Sequence, residues 1–207
     1  MPNRTRAGAL AVLTVAALTA GTALTAPAGA AAHNTSAAPR FLSASQLPPH
    51  PSSEWTAGPV TDGFPVQLAY CLGEGVPAYD YRHRLFHTDL DTGAVQVTTV
   101  TGSAAKGKAL AARLDKEIRT CADRIERTYP DVEAEGRFYG AVRVEEGAKV
   151  YGLHTETSWG ATDINLLSVG RDGRTVTVVG WGQMGDFGDA PVAAFKKTTR
   201  TAVTKLH

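Results

Sequence analysis

The chain is short of cysteine, of aromatic residues and of any excess of charge. It has two Cys, 15 Phe, Trp and Tyr residues together, and a formal charge of +1 over 207 residues. Two cysteines are too few for a zinc ribbon or for a small scaffold stapled by several bridges. Twenty-one Lys and Arg against 20 Asp and Glu leave no basic footprint for DNA, RNA or an anionic membrane surface. There is no G-x-S-x-G nucleophile elbow and no H-E-x-x-H metal helix. What the chain does have is 43% hydrophobic residues and a length that suits one domain plus tails.

The first thirty residues have the layout of a secretory signal peptide. Arg4 and Arg6 precede an uncharged run from Ala7 to Ala26, and Ala28-Gly29-Ala30 offers a small-residue cleavage site. The run is also long enough to span a bilayer. Its four Thr, two Gly and many Ala make it a weak span, and cleavage is the expectation. Removal of residues 1–30 leaves 177 residues that keep every aromatic, enough to bury about 70% of the unfolded surface. The expectation is a secreted, extracellular protein without a stable membrane anchor. Residues 31–40 are small and polar without periodicity, a disordered lead-in. Residues 41–207 form a single domain.

Within that domain Phe41–Leu47 suggests one helical turn stopped by Pro48-Pro49. Pro48–Gly63, with four Pro and two Gly around Trp55, suggests an irregular segment pinned by its Trp. Leu110, Leu114, Ile118, Cys121 and Ile125 recur at steps of three and four, a single helical stripe between Ser103 and Pro130. Ser103 is the expected N-cap, with Gly107 a possible delay to the start. A second helix is expected from Asp189 as cap, with Val192, Phe195, Ala202, Val203 and Leu206 inward and a basic C-terminal part. Strands are expected at Arg82–Leu90, Ala94–Val100, Ala141–Glu145, Lys149–Thr157, Thr162–Val169 and Arg174–Trp181. Asp172-Gly173 marks a hairpin between the last two. The fold class is α+β: an antiparallel sheet of about five to six strands with two main helices packed on one side.

Cys71 and Cys121, in an exported chain, are expected to form a disulfide. A redox role would need the Cys-X-X-Cys spacing they lack. Gly180-Trp181-Gly182-Gln183-Met184-Gly185 matches a dinucleotide fingerprint, but no βαβ unit accompanies it, so the match is accidental. No cofactor is implied. His83 and His87 share a strand face without a third ligand to complete a metal site. His154 lies in phase with Val150 and Gly152 on a strand. Six acids lie between Asp131 and Glu156, among them Glu145-Glu146, which would point to opposite strand faces. Trp159 and Trp181 stand beside Gly at expected strand ends, where they can wall a ligand site together with Gln183 and Met184.

This layout resembles the PknH-like extracellular domain family, the sensor-type domain of mycobacterial receptor Ser/Thr kinases. The resemblance is carried by Phe41-Leu42-Ser43-Ala44-Ser45-Gln46-Leu47-Pro48, Trp55, Cys71 ahead of the strands and the long helix with Cys121. The strands around Trp159 and the helix after Asp189-Ala190-Pro191 complete it. It implies an α+β fold with a cleft for a small ligand and no catalysis. This chain departs from the family in having one possible disulfide where members carry two. The expectation is a secreted, non-catalytic binding domain whose partner is a small molecule or a cell-envelope component, not a nucleic acid. The competing readings are a secreted hydrolase using carboxylates and His154, or an envelope structural protein.

Overall fold

A computed structural model describes residues 38–73 and 76–207. The signal segment 1–30 and all but the last three residues of the lead-in fall outside the described residues.

Seven strands form one antiparallel sheet: β1 (Thr56–Asp62), β2 (Tyr81–His87), β3 (Gly93–Val100), β4 (Val132–Val142), β5 (Ala148–Thr157), β6 (Thr162–Asp172) and β7 (Thr175–Met184). Their lateral order is β1-β2-β3-β7-β6-β5-β4, two meanders joined where β3 pairs with β7. The mixed α+β single domain therefore stands, with seven strands in place of the expected five to six. The extra strand is β1, inside the Pro-rich segment expected to be irregular. It is an edge strand whose pairing with β2 shifts between Ala57 and Val60, around Gly58 and Pro59. Proline is tolerated at such an edge irregularity because its missing N–H is not needed there.

The helices are α1 (Ala69–Leu72), α2 (Ala104–Arg119), α3 (Cys121–Thr128) and α4 (Val192–Thr204). Contrary to the expectation of two helices on one side, they cover both faces of the sheet. Leu110, Leu114, Ile118, Cys121 and Ile125 of α2 and α3 pack with Val95, Leu167, Val169, Val176 and Val178 on one face. Phe195, Ala202 and Val203 of α4 pack with Val150, Ile164, Leu166, Val179 and Trp181 on the other. The central strands carry apolar side chains on both faces because both faces are covered.

The long stripe between Ser103 and Tyr129 is two helices broken at Thr120, whose hydroxyl donates to the Lys116 carbonyl. Ser103 caps α2 as expected, its hydroxyl accepting from the Lys106 amide. Gly107 does not delay the start. It lies within the first turn, where a Cβ would come within 2.8 Å of the Gly173 carbonyl oxygen. The absent side chain lets α2 rest on the β6–β7 hairpin. That hairpin has a two-residue loop, Gly173-Arg174, with Gly173 at φ +52°.

Asp189 does not cap the last helix. α4 starts behind Pro191, and the Asp189 carboxylate accepts instead from the Asp186 amide, 2.9 Å away, closing the turn after β7. Glu145 and Glu146 lie in the β4–β5 turn, so the expected strand pair does not exist there. Glu146 accepts from the Gly173 amide and faces Arg171.

A strap of residues 40–47 crosses the α4 face. Leu42 is fully buried, and its amide donates to the Gln96 carboxamide 2.7 Å away. Arg84 donates to the Leu42 carbonyl, and Thr198 to that of Gln46. The expected helical turn is the short 3-10 turn Ala44–Gln46. Beyond the strap, Trp55 pins the Pro-rich segment, its indole donating to the Pro48 carbonyl at 2.7 Å.

Candidate functional site

The register of the sheet places its glycines in a row. Across the strands, Leu153 stands opposite Asn165, Asn165 opposite Gly182, Gly182 opposite Gly93, and Gly93 opposite His87. These residues share the face that α2 covers further along, because side chains alternate with period two. The neighbouring row inward is Leu167, Gly180, Val95 and Leu85. The row outward holds Asp163 opposite Met184. Two glycines side by side in the middle row leave a trough between taller neighbours.

Over this trough stands α1. Leu68, just before it, reaches so close to Gly180 that a Cβ there would meet Leu68 Cδ2 at 2.9 Å. Asn165 folds over Gly182 in the same manner, its Oδ1 taking the space that a Cβ would need. The result is an open groove of about 820 Å³ between the strand ends and α1. Tyr70, Leu85, Leu153 and Met184 give it apolar surface; Asp91, Asp163, Asn165 and Gln67 give it polar groups.

The disulfide Cys71–Cys121 fixes the α1 wall to the start of α3, with Cα atoms 5.0 Å apart. Both cysteines are buried. Arg124 adds to this anchor, donating to the carbonyls of Cys71 and Glu117 while pairing with the Glu117 carboxylate at 3.2 Å.

Asp91 holds the far wall, one carboxylate oxygen accepting from the Met184 amide at 3.0 Å. Thr92 donates to the Gln183 carboxamide at 3.3 Å. Tyr70 keeps 39% of its surface exposed, and loss of hydration at the groove wall, then the negative charge of Asp163, raise its phenol above the ordinary range. Tyr70 is thus a neutral hydroxyl and an aromatic surface at any physiological pH.

Of the residues expected to bind a ligand, Trp181, Gln183 and Met184 border this groove and Trp159 does not. Met184 is 61% exposed. Trp181 is only 5% exposed, its ring packed into the α4-side core, so it meets the groove along the β7 strand. It also borders a smaller cleft of about 230 Å³ with Pro48, Trp55 and Pro191. Trp159, 72% exposed, stands in the β5–β6 turn.

His154 faces away from the groove, since Leu153 and Thr155 on either side of it line that groove. Its ring lies 5.6 Å from Phe187, and Nε2 is enclosed without a hydrogen-bond partner. Glu135, opposite it on β4, turns its carboxylate to Arg137 at 2.8 Å. The sheet therefore separates His154 from the groove carboxylates. His87 borders the groove, whereas His83 meets the Gly63 carbonyl at 2.8 Å. Among the described residues no three His, Cys, Asp or Glu side chains gather as a metal site.

Sequence reasoning missed Tyr70, Asp163 and Asn165. The signals available for them were the position of Tyr70 beside a bridged cysteine and the polar Asp163 and Asn165 alternating with Ile164 and Leu166. No family model, curated protein or solved structure matches this chain.

Proposed function

We propose that this chain is an exported, non-catalytic binding domain of the sensor type, and that the groove under α1 is its ligand site. The observation that carries the reading is the groove itself. Its volume is that of a small-molecule site, and its apolar surface is interrupted by a few convergent polar groups. Its walls stand on paired strands and a disulfide, so little would have to be ordered on binding. The Cys71–Cys121 bridge supports export, because such bridges persist in oxidising compartments. No helix among the described residues is long and apolar enough to cross a membrane. The resemblance to the PknH-like extracellular domains supports the same kind of role, a cleft for a small ligand without catalysis.

The opposite-facing positions of His154 and the groove carboxylates speak against the hydrolase alternative, which needs them in one pocket. A backbone-amide NMR titration of the disulfide-bonded protein with a library of soluble fragments tests the proposal. Binding fragments should shift Leu153–Thr155, Asn165 and Gly180–Met184 together. Shifts that gather at another cleft, or a library that moves no groove amide, refute it.

A further inference from the structure

Resting on that reading, we infer that the groove takes a small molecule carrying a protonated amine on an apolar body. Two carboxylates, Asp91 and Asp163, border the groove, and no Lys or Arg does so among the described residues. Some carboxylates elsewhere on this domain have cationic neighbours, Asp62 with Arg82, Asp115 with Lys149 and Arg119, and Glu117 with Arg124, while others, such as Asp131 and Glu156, take part in no ion pair among the described residues. Asp91 and Asp163 take part in no ion pair among the described residues. The only hydrogen bond to the Asp91 carboxylate there is from the Met184 amide, through one oxygen.

An anionic ligand would meet two like charges, with His87 the one imidazole on the groove's border and no Lys or Arg beside it. A neutral ligand would gain no Coulombic attraction from either carboxylate. An ammonium has three donors and no acceptor, which matches the carboxylates and the carbonyl oxygen of the Asn165 side chain. Tyr70 adds an aromatic ring beside Asp163, and aromatic faces attract cations. Leu85, Leu153 and the exposed Met184 then receive the apolar body. Both carboxylates are exposed, so the charge preference is modest: roughly 3- to 10-fold in affinity, and salt-dependent.

Three probes that share a phenylethyl body and differ in the charge of the head group test this on the disulfide-bonded protein: 2-phenylethylamine, 2-phenylethanol and 3-phenylpropionate. Each is titrated while groove amides are followed by NMR, at low ionic strength and again at about 0.5 M salt. The expected order is amine, then alcohol, then carboxylate, with the spread collapsing at high salt. Asp163→Asn should narrow the gap between amine and alcohol and the Asp91→Asn, Asp163→Asn pair should close it, while Asp62→Asn, far along β1, should leave it unchanged.

An alcohol or carboxylate that binds as tightly as the amine overturns the inference. So does an amine preference that survives in the Asp91→Asn, Asp163→Asn double variant. If no probe moves a groove amide, the groove reading itself fails and takes this inference with it. Should the variants not fold, the order and salt dependence of the three probes on the unaltered chain decide the matter alone.

Discussion

Removing the Cys71–Cys121 bridge should lower stability by about 4 kcal/mol. The bridge closes a loop of 50 residues, and the chain-entropy relation puts the loss of unfolded-state freedom at about 14 cal/mol/K, or ~4 kcal/mol at 25 °C. Replacing both residues by Ala is the right perturbation, because the sulfurs lie in the core and Ser would bury two hydroxyls. For a domain of this size each kcal/mol lowers the melting temperature by roughly 2–4 °C, so a fall of roughly 8–16 °C is expected. Urea unfolding of the two forms, each fitted with its own slope because the bridge compacts the unfolded chain, gives the same quantity independently. The bridge also holds α1 over Gly180, so hydrogen exchange should quicken at Leu68–Leu72 before it quickens in β6 or β7. In the unaltered protein a reductant should act only on opened molecules, since both cysteines are shielded. Equal urea midpoints for the bridged form and the Ala pair would refute the reasoning.

Gly107→Ala should destabilise by about 1–3 kcal/mol in urea unfolding. Its Cβ would stand 2.8 Å from the Gly173 carbonyl oxygen, a backbone atom that cannot turn aside. Gln96→Leu removes the only side-chain acceptor of the Leu42 amide and a donor to Thr177. A loss of about 1–3 kcal/mol and faster proteolysis within residues 38–47 are expected. Alkaline pH should weaken the fold. Burial first, and then Tyr79, push the Tyr81 phenol up to about 12, against the opposing effect of Arg113. The folded state thus favours the neutral phenol, and its contribution is complete below about pH 10 and lost as the pH climbs through 12. Tyr70 and Tyr151 are pushed in the same direction, so Tyr81→Phe should flatten the alkaline fall in urea midpoint without abolishing it.

The sequence was most readable where one physical signal acted alone. The stripe from Leu110 to Ile125 is buried along its whole length, because a helix lying on a sheet has one inward face and nothing else writes that spacing. β3, β5, β6 and β7 were found within a few residues of their ends for a similar reason, their runs of Val, Leu and Thr being broken by clear turns. β1 was hidden because the Pro and Gly of an edge irregularity look the same in sequence as those of a loop. β4 was seen only at its C-terminal end, although Val132, Ala134, Gly136 and Phe138 alternate with Glu133, Glu135 and Arg137. A glycine and two acids on an exposed edge weakened the apolar half of that alternation. The site was legible only on β7. The strand expected to end at Trp181 runs on to Met184, so Gly182, Gln183 and Met184 prolong it along the groove. Tyr70 and Asp163 are 93 residues apart in the chain, and only the lateral order of the strands brings them to one place.

The groove lies where it does because the helix layer does not reach that end of the sheet. α2 begins on the Gly173-Arg174 hairpin, and its 16 residues extend ~24 Å from there. β7 leaves the same hairpin and runs ten residues, ~33 Å, so its last turns of pleat emerge from under α2. A bare apolar strand end would be an association hazard, and a further long helix would fill it. The chain instead lays the four residues of α1 there, too few to hold a helix by their own hydrogen bonds. Cys121, at the start of α3, and Arg124, one turn on, hold α1 in place through Cys71. Gly180 allows Leu68 to sit low, Gly182 makes room for the Asn165 carboxamide, and Gly93 beside it keeps the neighbouring space open. Bridge, glycines and groove are thus parts of one arrangement. If they are, Gly180→Ala should raise Leu68 and perturb ligand binding while the α4 face keeps its packing. An unchanged groove in the NMR spectrum of that variant would mean that α1 is positioned by the bridge alone.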